Sequence, residues 1–453
     1  MNTSIAVNLI SVSFFAAIVF TGFLRTLAKR YNFLIDLPDK NRKFHKRPTP
    51  LVGGLGIHLS MLFGLAILFL SVDTIIYDQT NSVTTINSKL QITNESQLEE
   101  YNVSASKIDS NKDDLSQYEV IIERGEPPII ITQNLEGNFE LITPSGDLKV
   151  FSYIDGKLID LNEKEIFEVK APGENDYFTL TIPMLGIVIM GIFLQLLMLI
   201  DDVSGLTQMK RLIIQSAASL GVILISGEYI SNIGFNFFGW NGDLGYFGII
   251  FTIFAVTGII NAFNMFDGIN GLCSGAALIV FVALVYIGGS STLSYGSLVT
   301  MSGLLGFLVY NLGLFGAKRS VFLGDNGSNF LGFLVAWSCI YYSSETMGLI
   351  NPVTALWLVS IPLWDCIHLI YQRSVSGKGP FEGDRRHFHH ILFDKTSLTG
   401  NWPLFAILIS CLFLASFGIF IETFLNPIYS FAAFIIFGLV FISIKQKLEA
   451  KAY

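Results

Sequence analysis

Carboxylates, basic residues and histidines gather in five short polar stretches of this chain, each at the edge of an apolar run. They are Asp36-Leu-Pro-Asp39 through Arg42-Lys43-Phe-His45, then Asp201-Asp202, Asn264-Met-Phe-Asp267, Gly324-Asp325, and His387-Phe-His389-His390. Asn264 and Asp267 stand three apart, so on a helix they share a face. Amide carbonyl and carboxylate oxygens are hard donors, suited to Mg2+ rather than zinc. Asp325 lies beside Gly and Ser where an apolar run begins, so it can hold a metal while backbone N–H groups face phosphate oxygens. A simple helix cap is the plainer alternative there. Asp201 and Asp202 end the run Leu196–Ile200, and paired carboxylates at a bilayer edge are unfavourable unless they meet a cation.

The basic residues fit the same chemistry. Arg42 and Lys43 follow the first apolar run, where basic side chains suit phosphate or acidic headgroups, although anchoring at the membrane accounts for part of that cluster. His45 stands just ahead of Pro48, Pro50 and the pair Gly53-Gly54, where backbone can approach a ligand closely. Three histidines in four residues suit a transition metal. With Arg385 and Arg386 adjacent and no cysteine nearby, diphosphate binding is the better fit and zinc the alternative. His58 and His368 lie within apolar runs and read as packed histidines. Oxygen ligands for Mg2+, cations for phosphate and a membrane together point to phosphoryl transfer onto a lipid. The chain lacks a Gly-x-x-x-x-Gly-Lys phosphate loop, so an ATP-driven pump is not expected.

The elements that must position these loops are membrane segments. The 453 residues are 51% hydrophobic and 14% charged, with mean hydropathy +0.56. Eleven apolar runs reach or approach spanning length: 5–27, 51–70, 179–200, 211–227, 246–262, 271–288, 296–315, 328–344, 352–371, 403–421 and 425–444. The first is not expected to be a cleaved signal, because its basic cluster follows it. All five polar loops come after odd-numbered runs, so alternate crossing puts them on one face. Those loops and the C-terminal tail hold twenty Lys and Arg, from Arg25 to Lys451, while the short loops on the other side hold none. The expected orientation has the N-terminus outside and the motif loops and C-terminus in the cytoplasm. Cys273, Cys339, Cys366 and Cys411 lie in or beside apolar runs without ligand spacing and read as small core residues.

The pattern divides the chain into 1–71, an insertion over 72–178, and 179–453. The insertion carries 21 acidic and 8 basic side chains and is expected outside. Its first half, Gln79 to Ser116, reads as loop or partial disorder. Its second half alternates and turns, at Pro144-Ser-Gly146 and Asp155-Gly156 for example, and suggests a small β-meander. Without His, Cys or a clustered motif, it reads as a structural or partner-binding decoration. The expected fold is thus an all-α integral membrane protein of about eleven helices with cytosolic active-site loops, plus a small extracytoplasmic β-rich insertion.

These loops, in this order, resemble the polyprenyl-phosphate N-acetylhexosamine-1-phosphate transferases, of glycosyltransferase family 4 type. The resemblance rests on Asp36-x-Pro38, Arg42-Lys43-x-His45, Pro48-x-Pro50, Asp201-Asp202, Asn264-x-x-Asp267-Gly-x-Asn-Gly, Gly324-Asp325-x-Gly-Ser328 and His387-x-His389-His390, and covers about 1–70 and 179–445. It implies transfer of a sugar-1-phosphate from a UDP-sugar to undecaprenyl phosphate, with release of UMP and Mg2+ as cofactor, Mn2+ being the alternative. It further implies that Asn264 and Asp325 hold the metal with the UDP diphosphate, and that Asp201 and Asp202 lie near the lipid phosphate. Asp267 would help build the metal and nucleotide site, and the histidine loop with Arg373, Arg385 and Arg386 would engage the nucleotide-sugar. Asp384-Arg385-Arg386 ahead of the histidines, and Pro362-Leu-Trp-Asp365, resemble the bacterial branch that uses N-acetylglucosamine-1-phosphate. The phospho-MurNAc-pentapeptide branch carries a Lys three residues after its Asp-Asp pair; here Val203-Ser-Gly-Leu206 follows. The long acidic insertion is common to neither branch.

The implied setting is a multi-pass bacterial inner-membrane enzyme that begins a cell-envelope glycan, with no nucleic-acid partner and a homodimer left open. A secondary transporter would need charges at the bilayer midplane and internal repeats. The charges here sit at one edge, and no repeat is apparent. A non-catalytic scaffold for the insertion would leave the five loops without a purpose.

Overall fold

The computed structural model describes residues 3–38, 47–71 and 181–450, apart from 238, 290–292, 345–346, 378, 380–385 and 397, together with the backbone of strands between 73 and 181. The chain forms two compact units, one made of 3–68 and 183–453, the other of 69–182.

The larger unit is helical. Its elements are α1 (Thr3–Tyr31), the short strands β1 (Ile35–Asp36) and β2 (Thr49–Pro50), then α2 (Gly53–Ser71). After the insertion come α3 (Ile182–Ser204), α4 (Gln208–Ser226), α5 (Phe247–Phe266), α6 (Leu272–Gly288), α7 (Leu293–Asn311) and α8 (Gly324–Ser343). The chain closes with α9 (Pro352–Leu358), α10 (Ser360–Val375), α11 (Phe388–Lys395), α12 (Trp402–Glu422) and α13 (Pro427–Ala450). Every one of the eleven apolar runs falls on helix. Among the described residues, seven helices are long and apolar enough to cross a membrane: α1 to α5, α12 and α13. An eighth crossing arises if α9 and α10 are one broken span, since they meet at 83°. Residues 352–371 therefore do not form the straight helix their hydropathy suggests.

The remaining runs lie on α6, α7 and α8, and two of these differ from an ordinary lipid-facing span. Helix α6 has only 17 residues. Helix α8 begins Gly-Asp-Asn-Gly-Ser-Asn and is buried almost throughout. It packs against α5, α6 and α9, so its polar side chains meet protein rather than lipid. Asn326, Ser328 and Asn329 are fully buried. A helix enclosed by neighbours can carry groups that a lipid-facing helix cannot, because interhelical hydrogen bonds satisfy them. On the periphery, α1 packs on α7 and α4 on α5, and they leave residues such as Phe15, Val19 and Leu224 exposed as a lipid-facing surface would.

The smaller unit is built from strands β3 (Asp73–Tyr77), β4 (Thr85–Asn94), β5 (Gln97–Ile108), β6 (Gln117–Glu123), β7 (Ile129–Gln133), β8 (Phe139–Ile142), β9 (Leu148–Ile154), β10 (Lys157–Asp160), β11 (Ile166–Val169) and β12 (Tyr177–Thr181). β4 to β11 close as a barrel, and β3 pairs with β12 in parallel. The β4–β5 ladder, with Leu90 opposite Tyr101, lies where polar composition alone suggests a loop. The period-two spacing of Ile86, Leu90 and Ile92 is the strand signal that the Asn, Ser and Thr content hides.

Candidate active site

The start of α8 is where the motif loops meet. Gly324 has φ +81°, a conformation open to glycine, which lets the chain turn sharply from Leu323 into the helix. The first N–H groups of a helix lack partners within it. Here Asp202, from the end of α3, supplies them: its Oδ1 accepts from the Asp325 N–H at 3.0 Å and its Oδ2 from the Asn326 N–H at 3.3 Å. The Asn326 side-chain amide also donates to Asp202 Oδ2. A carboxylate at a helix N-terminus is favourable both as a cap and against the helix dipole.

Asp201 faces the other way. Its Oδ1 accepts from the Leu206 N–H at 2.6 Å, and its Oδ2 lies 2.8 Å from Arg211 Nε on α4. The same guanidinium reaches Asp325 Oδ2 at 3.1 Å. Arg211 thus bridges two motif carboxylates, one sealed and one accessible: the Asp201 side chain is 0% exposed, that of Asp325 41%.

The first loop closes on the same point through backbone. The Phe322 N–H donates to Pro50 O at 2.9 Å, and the N–H groups of Gly53 and Gly54 donate to Phe322 O and Leu323 O, both at 3.0 Å. Asn326 Nδ2 also reaches Leu51 O at 3.3 Å. Gly54 lies so close to Asn326 and Gly327 that any Cβ there would overlap them, which accounts for the glycine pair. Arg42, Lys43, His45 and Arg385 lie outside the described residues.

Asp267 follows α5 as its C-terminal cap, with its N–H on Asn264 O at 3.2 Å. Burial, and then the neighbouring carboxylates of Asp325 and Asp202, push the Asp267 carboxyl up to about 8. Asn264 is half-buried one turn earlier on α5. The next loop is tied in by Asn311, which accepts from the Gly271 N–H at 2.6 Å and donates to Val321 O at 2.9 Å.

The histidine loop reaches this centre through one residue. The His389 imidazole packs directly on Gly268, so that a Cβ at Gly268 would strike the ring. His389 is 1% exposed, and burial followed by the adjacent His390 and His387 lowers its pKa well below the usual imidazole value. It therefore offers neutral ring nitrogens, not a positive charge. His387 and Arg373 lie in a second polar cluster. His387 Nδ1 is 3.4 Å from Asp365 Oδ2, and Arg373 Nη2 is 3.5 Å from His387 Nε2. Arg373 is fully buried, and Arg386 and His390 are half-buried.

Behind the motif residues stands a tier of amides. Gln195 Nε2 donates to Asn326 Oδ1 at 3.4 Å, and His58 Nδ1 meets Gln195 Oε1 while its ring stacks on Phe330. On the other side, Asn261 Nδ2 donates to Gln215 Oε1 and Gln215 Nε2 to Asn329 Oδ1, both at 2.7 Å. Asn329 Nδ2 in turn donates to Asp325 O at 2.7 Å. Such a chain fixes rotamers around α8. Among the described residues no three His, Cys, Asp or Glu side chains close around a metal position.

Comparison with known proteins identifies relatives of this chain. The model of glycosyl transferase family 4 matches residues 184–343, from the start of α3 to the end of α8. The chain is 33% identical over 226 residues to the undecaprenyl-phosphate alpha-N-acetylglucosaminyl 1-phosphate transferase of Escherichia coli strain K12, covering 49% of this chain and 61% of that relative. The same-named protein of Yersinia pestis is 34% identical over 223 residues, with the same coverage. This chain therefore spans about 61% of the length of those relatives. That of Haemophilus influenzae is 34% identical over 249 residues, 54% of this chain and 70% of the relative. At that identity over that share of a relative, with the matched segment carrying the Asp201–Asp202, Asn264–Asp267 and Asp325 positions just described, the chain belongs to glycosyl transferase family 4.

Proposed function

We propose that the chain transfers N-acetylglucosamine-1-phosphate from its UDP-sugar to undecaprenyl phosphate, releasing UMP, at the cytoplasmic face of a bacterial inner membrane. One observation carries the reading: Asp202 caps α8 so that Asp325 is left accessible, bridged by Arg211 and electrostatically coupled to Asp267. Three carboxylates and one arginine at the end of a lipid-facing bundle suit a diphosphate donor that arrives with a cation. The names of the relatives support the acceptor and the sugar.

The donor set suits Mg2+. Asn264, Asp267 and Asp325 offer only oxygen, and Mg2+ takes one or two carboxylates plus substrate phosphates rather than an all-protein cage. Those three residues would hold it, and it would neutralise charge on the diphosphate during transfer. A polyprenyl-phosphate oxygen attacks the β-phosphorus of the UDP-sugar, the bond from that phosphorus to the bridging oxygen breaks, and UMP leaves with the oxygen. Arg211 fixes Asp325 and supplies positive charge beside it. Asp202 holds the α8 N-terminus, so its backbone does not shift as charge moves. Neutral His389, against Gly268, offers hydrogen bonds to the sugar or base without competing for the cation. The histidine loop with Arg373, Arg385 and Arg386 would engage the nucleotide-sugar, and Arg42, Lys43 and His45 its phosphates or the lipid phosphate.

In this reading α6, α7 and the broken α9–α10 also cross the membrane, as does the enclosed α8, for eleven crossings in all. The Lys and Arg distribution supports an N-terminus and β-rich insertion outside and a C-terminus inside.

The test is transfer of label from radiolabelled UDP-N-acetylglucosamine to undecaprenyl phosphate by purified protein with Mg2+. Label in lipid, blocked by EDTA, is expected. Transfer from only a different UDP-N-acetyl sugar keeps the reaction and changes the donor. Folded protein that transfers from no such donor overturns the reading.

A further inference from the structure

Lys445, near the end of α13, has a side chain with 0% exposure. A buried ammonium is tolerated only with a partner, and its partner is Asp365 on α10, with Nζ to Oδ1 at 2.7 Å. Asp365 is itself 2% exposed and does three things with one carboxylate. Oδ1 also accepts from the Phe388 N–H at 3.2 Å, which caps α11, and Oδ2 faces His387 Nδ1. Arg373 Nη2 lies on the other side of the ring, 3.5 Å from Nε2, so the imidazole is held between a carboxylate and a guanidinium. The pairing is not isolated. Gln446 meets His368 at 3.3 Å and Gln372 donates to Glu449 at 3.2 Å, so Asp365, His368 and Gln372 form one face of α10 against α13. Phe388 packs edge-on against Phe441 of α13, with ring centroids 4.9 Å apart.

We propose that Lys445, acting through Asp365, is a positioning residue that holds the His387–His390 loop against Asp267–Gly268 for the nucleotide-sugar, an inference that rests on the function proposed above. The path is continuous: α13 neutralises Asp365, Asp365 fixes His387 and the α11 N-terminus, and α11 sets His389 on Gly268. The substrate class it governs is the nucleotide-sugar and not the lipid, because Lys445 pairs with Asp365 on α10, which holds the histidine loop, whereas Asp202 and the amide tier pair with α8. Neutralising Lys445 leaves a buried carboxylate whose charge repels the incoming diphosphate and frees the loop it held.

The experiment uses the full chain in detergent, comparing wild type with Lys445→Met, Lys445→Arg and the charge-balanced double variant Asp365→Asn/Lys445→Met. Lys445→Met is expected to raise KM for the UDP-sugar about tenfold with KM for undecaprenyl phosphate unchanged, and Lys445→Arg to restore most of the difference. Hydrogen exchange over 387–395 is expected to quicken in Lys445→Met while exchange in α5 stays the same. If Lys445→Met does not fold, the double variant, which leaves no unpaired charge, carries the same two measurements. A folded variant with wild-type KM for both substrates, or with unchanged exchange in 387–395, overturns the proposal. So does a drop in active fraction and melting temperature alone, since that is what a plain structural staple gives. Wild-type protein that transfers from no UDP-sugar overturns the reading of function instead, and the exchange comparison still decides whether Lys445 holds the loop.

Discussion

Two carboxylate clusters in this protein use the same parts to different ends. At α8, Asp202 caps a helix and Arg211 bridges Asp201 to Asp325. At α11, Asp365 caps a helix while Lys445 neutralises it. Each pairs a carboxylate, a cation and a helix N-terminus. The difference lies in what is left over. In the α11 cluster Asp365 is sealed and its oxygens are taken up by Lys445, Phe388 N–H and His387. In the α8 cluster Asp325 is 41% exposed, and burial, then the neighbouring Asp325 and Asp202 carboxylates, have raised the Asp267 carboxyl. Satisfied and enclosed, the same chemistry holds a fold; accessible and short of positive charge, it can receive a ligand.

The sharpest break would come at Asp325. Asp325→Asn is expected to lower kcat by about a thousandfold, the scale of losing a group that acts on transition-state charge, while size-exclusion behaviour in detergent stays normal. Near-wild-type turnover would place Asp325 with the sealed kind. Asp202→Ala removes a cap shared by two backbone N–H groups and a side chain; about a hundredfold loss in kcat/KM with a lowered melting temperature is expected. Arg211→Lys keeps the charge but loses the two-carboxylate bridge, and a loss of about tenfold in kcat/KM follows from that geometry.

The raised Asp267 makes a gentler test. Below pH 8 its carboxyl holds a proton that a cation must displace. The Mg2+ concentration giving half-maximal rate should therefore fall as pH rises from 6.5 to 8 and level off above. Asp267→Asn should flatten that slope, and an unchanged slope would detach Asp267 from the cation. The smallest effect is expected from replacing 80–170 by a short linker. Turnover should stay within about twofold, because no residue of the α8 cluster comes from the insertion. A stable but inactive product would show that the two units are not separable.

Much of the α8 cluster was legible because ionisable groups stand out against apolar runs. Asp201, Asp202, Asp267 and Asp325 converge as the loops suggest. The amide tier did not stand out, since Gln195, Gln215, Asn261 and Asn329 carry no charge and sit inside runs read as membrane, while Asn326 is the unspecified position of Gly324-Asp325-x-Gly-Ser328. A signal was nonetheless present. Gln195 precedes Asp202 by seven residues, Gln215 follows Arg211 by four, Asn261 precedes Asn264 by three and Asn329 follows Asp325 by four. Gln195, Asn261 and Asn329 thus lie on the helical face of a motif residue one or two turns away, and Gln215 on that of Arg211. The role of Arg211 was hidden differently: it reads as one more cytoplasmic anchor until α4 is seen beside α3. Helix α8 was legible as a helix but not as the enclosed one, because enclosure depends on neighbours that hydropathy does not report.

The backbone bonds from Pro50, Gly53 and Gly54 to Phe322 and Leu323 join segments on opposite sides of the insertion. Helix α1 likewise lies along α7. The peptide running from α2 to α3 is thus not what keeps the two halves of the α8 cluster together. A gene divided within the insertion and expressed as two polypeptides should reassemble in the membrane, with the N-terminal piece docking as a hairpin of two helices.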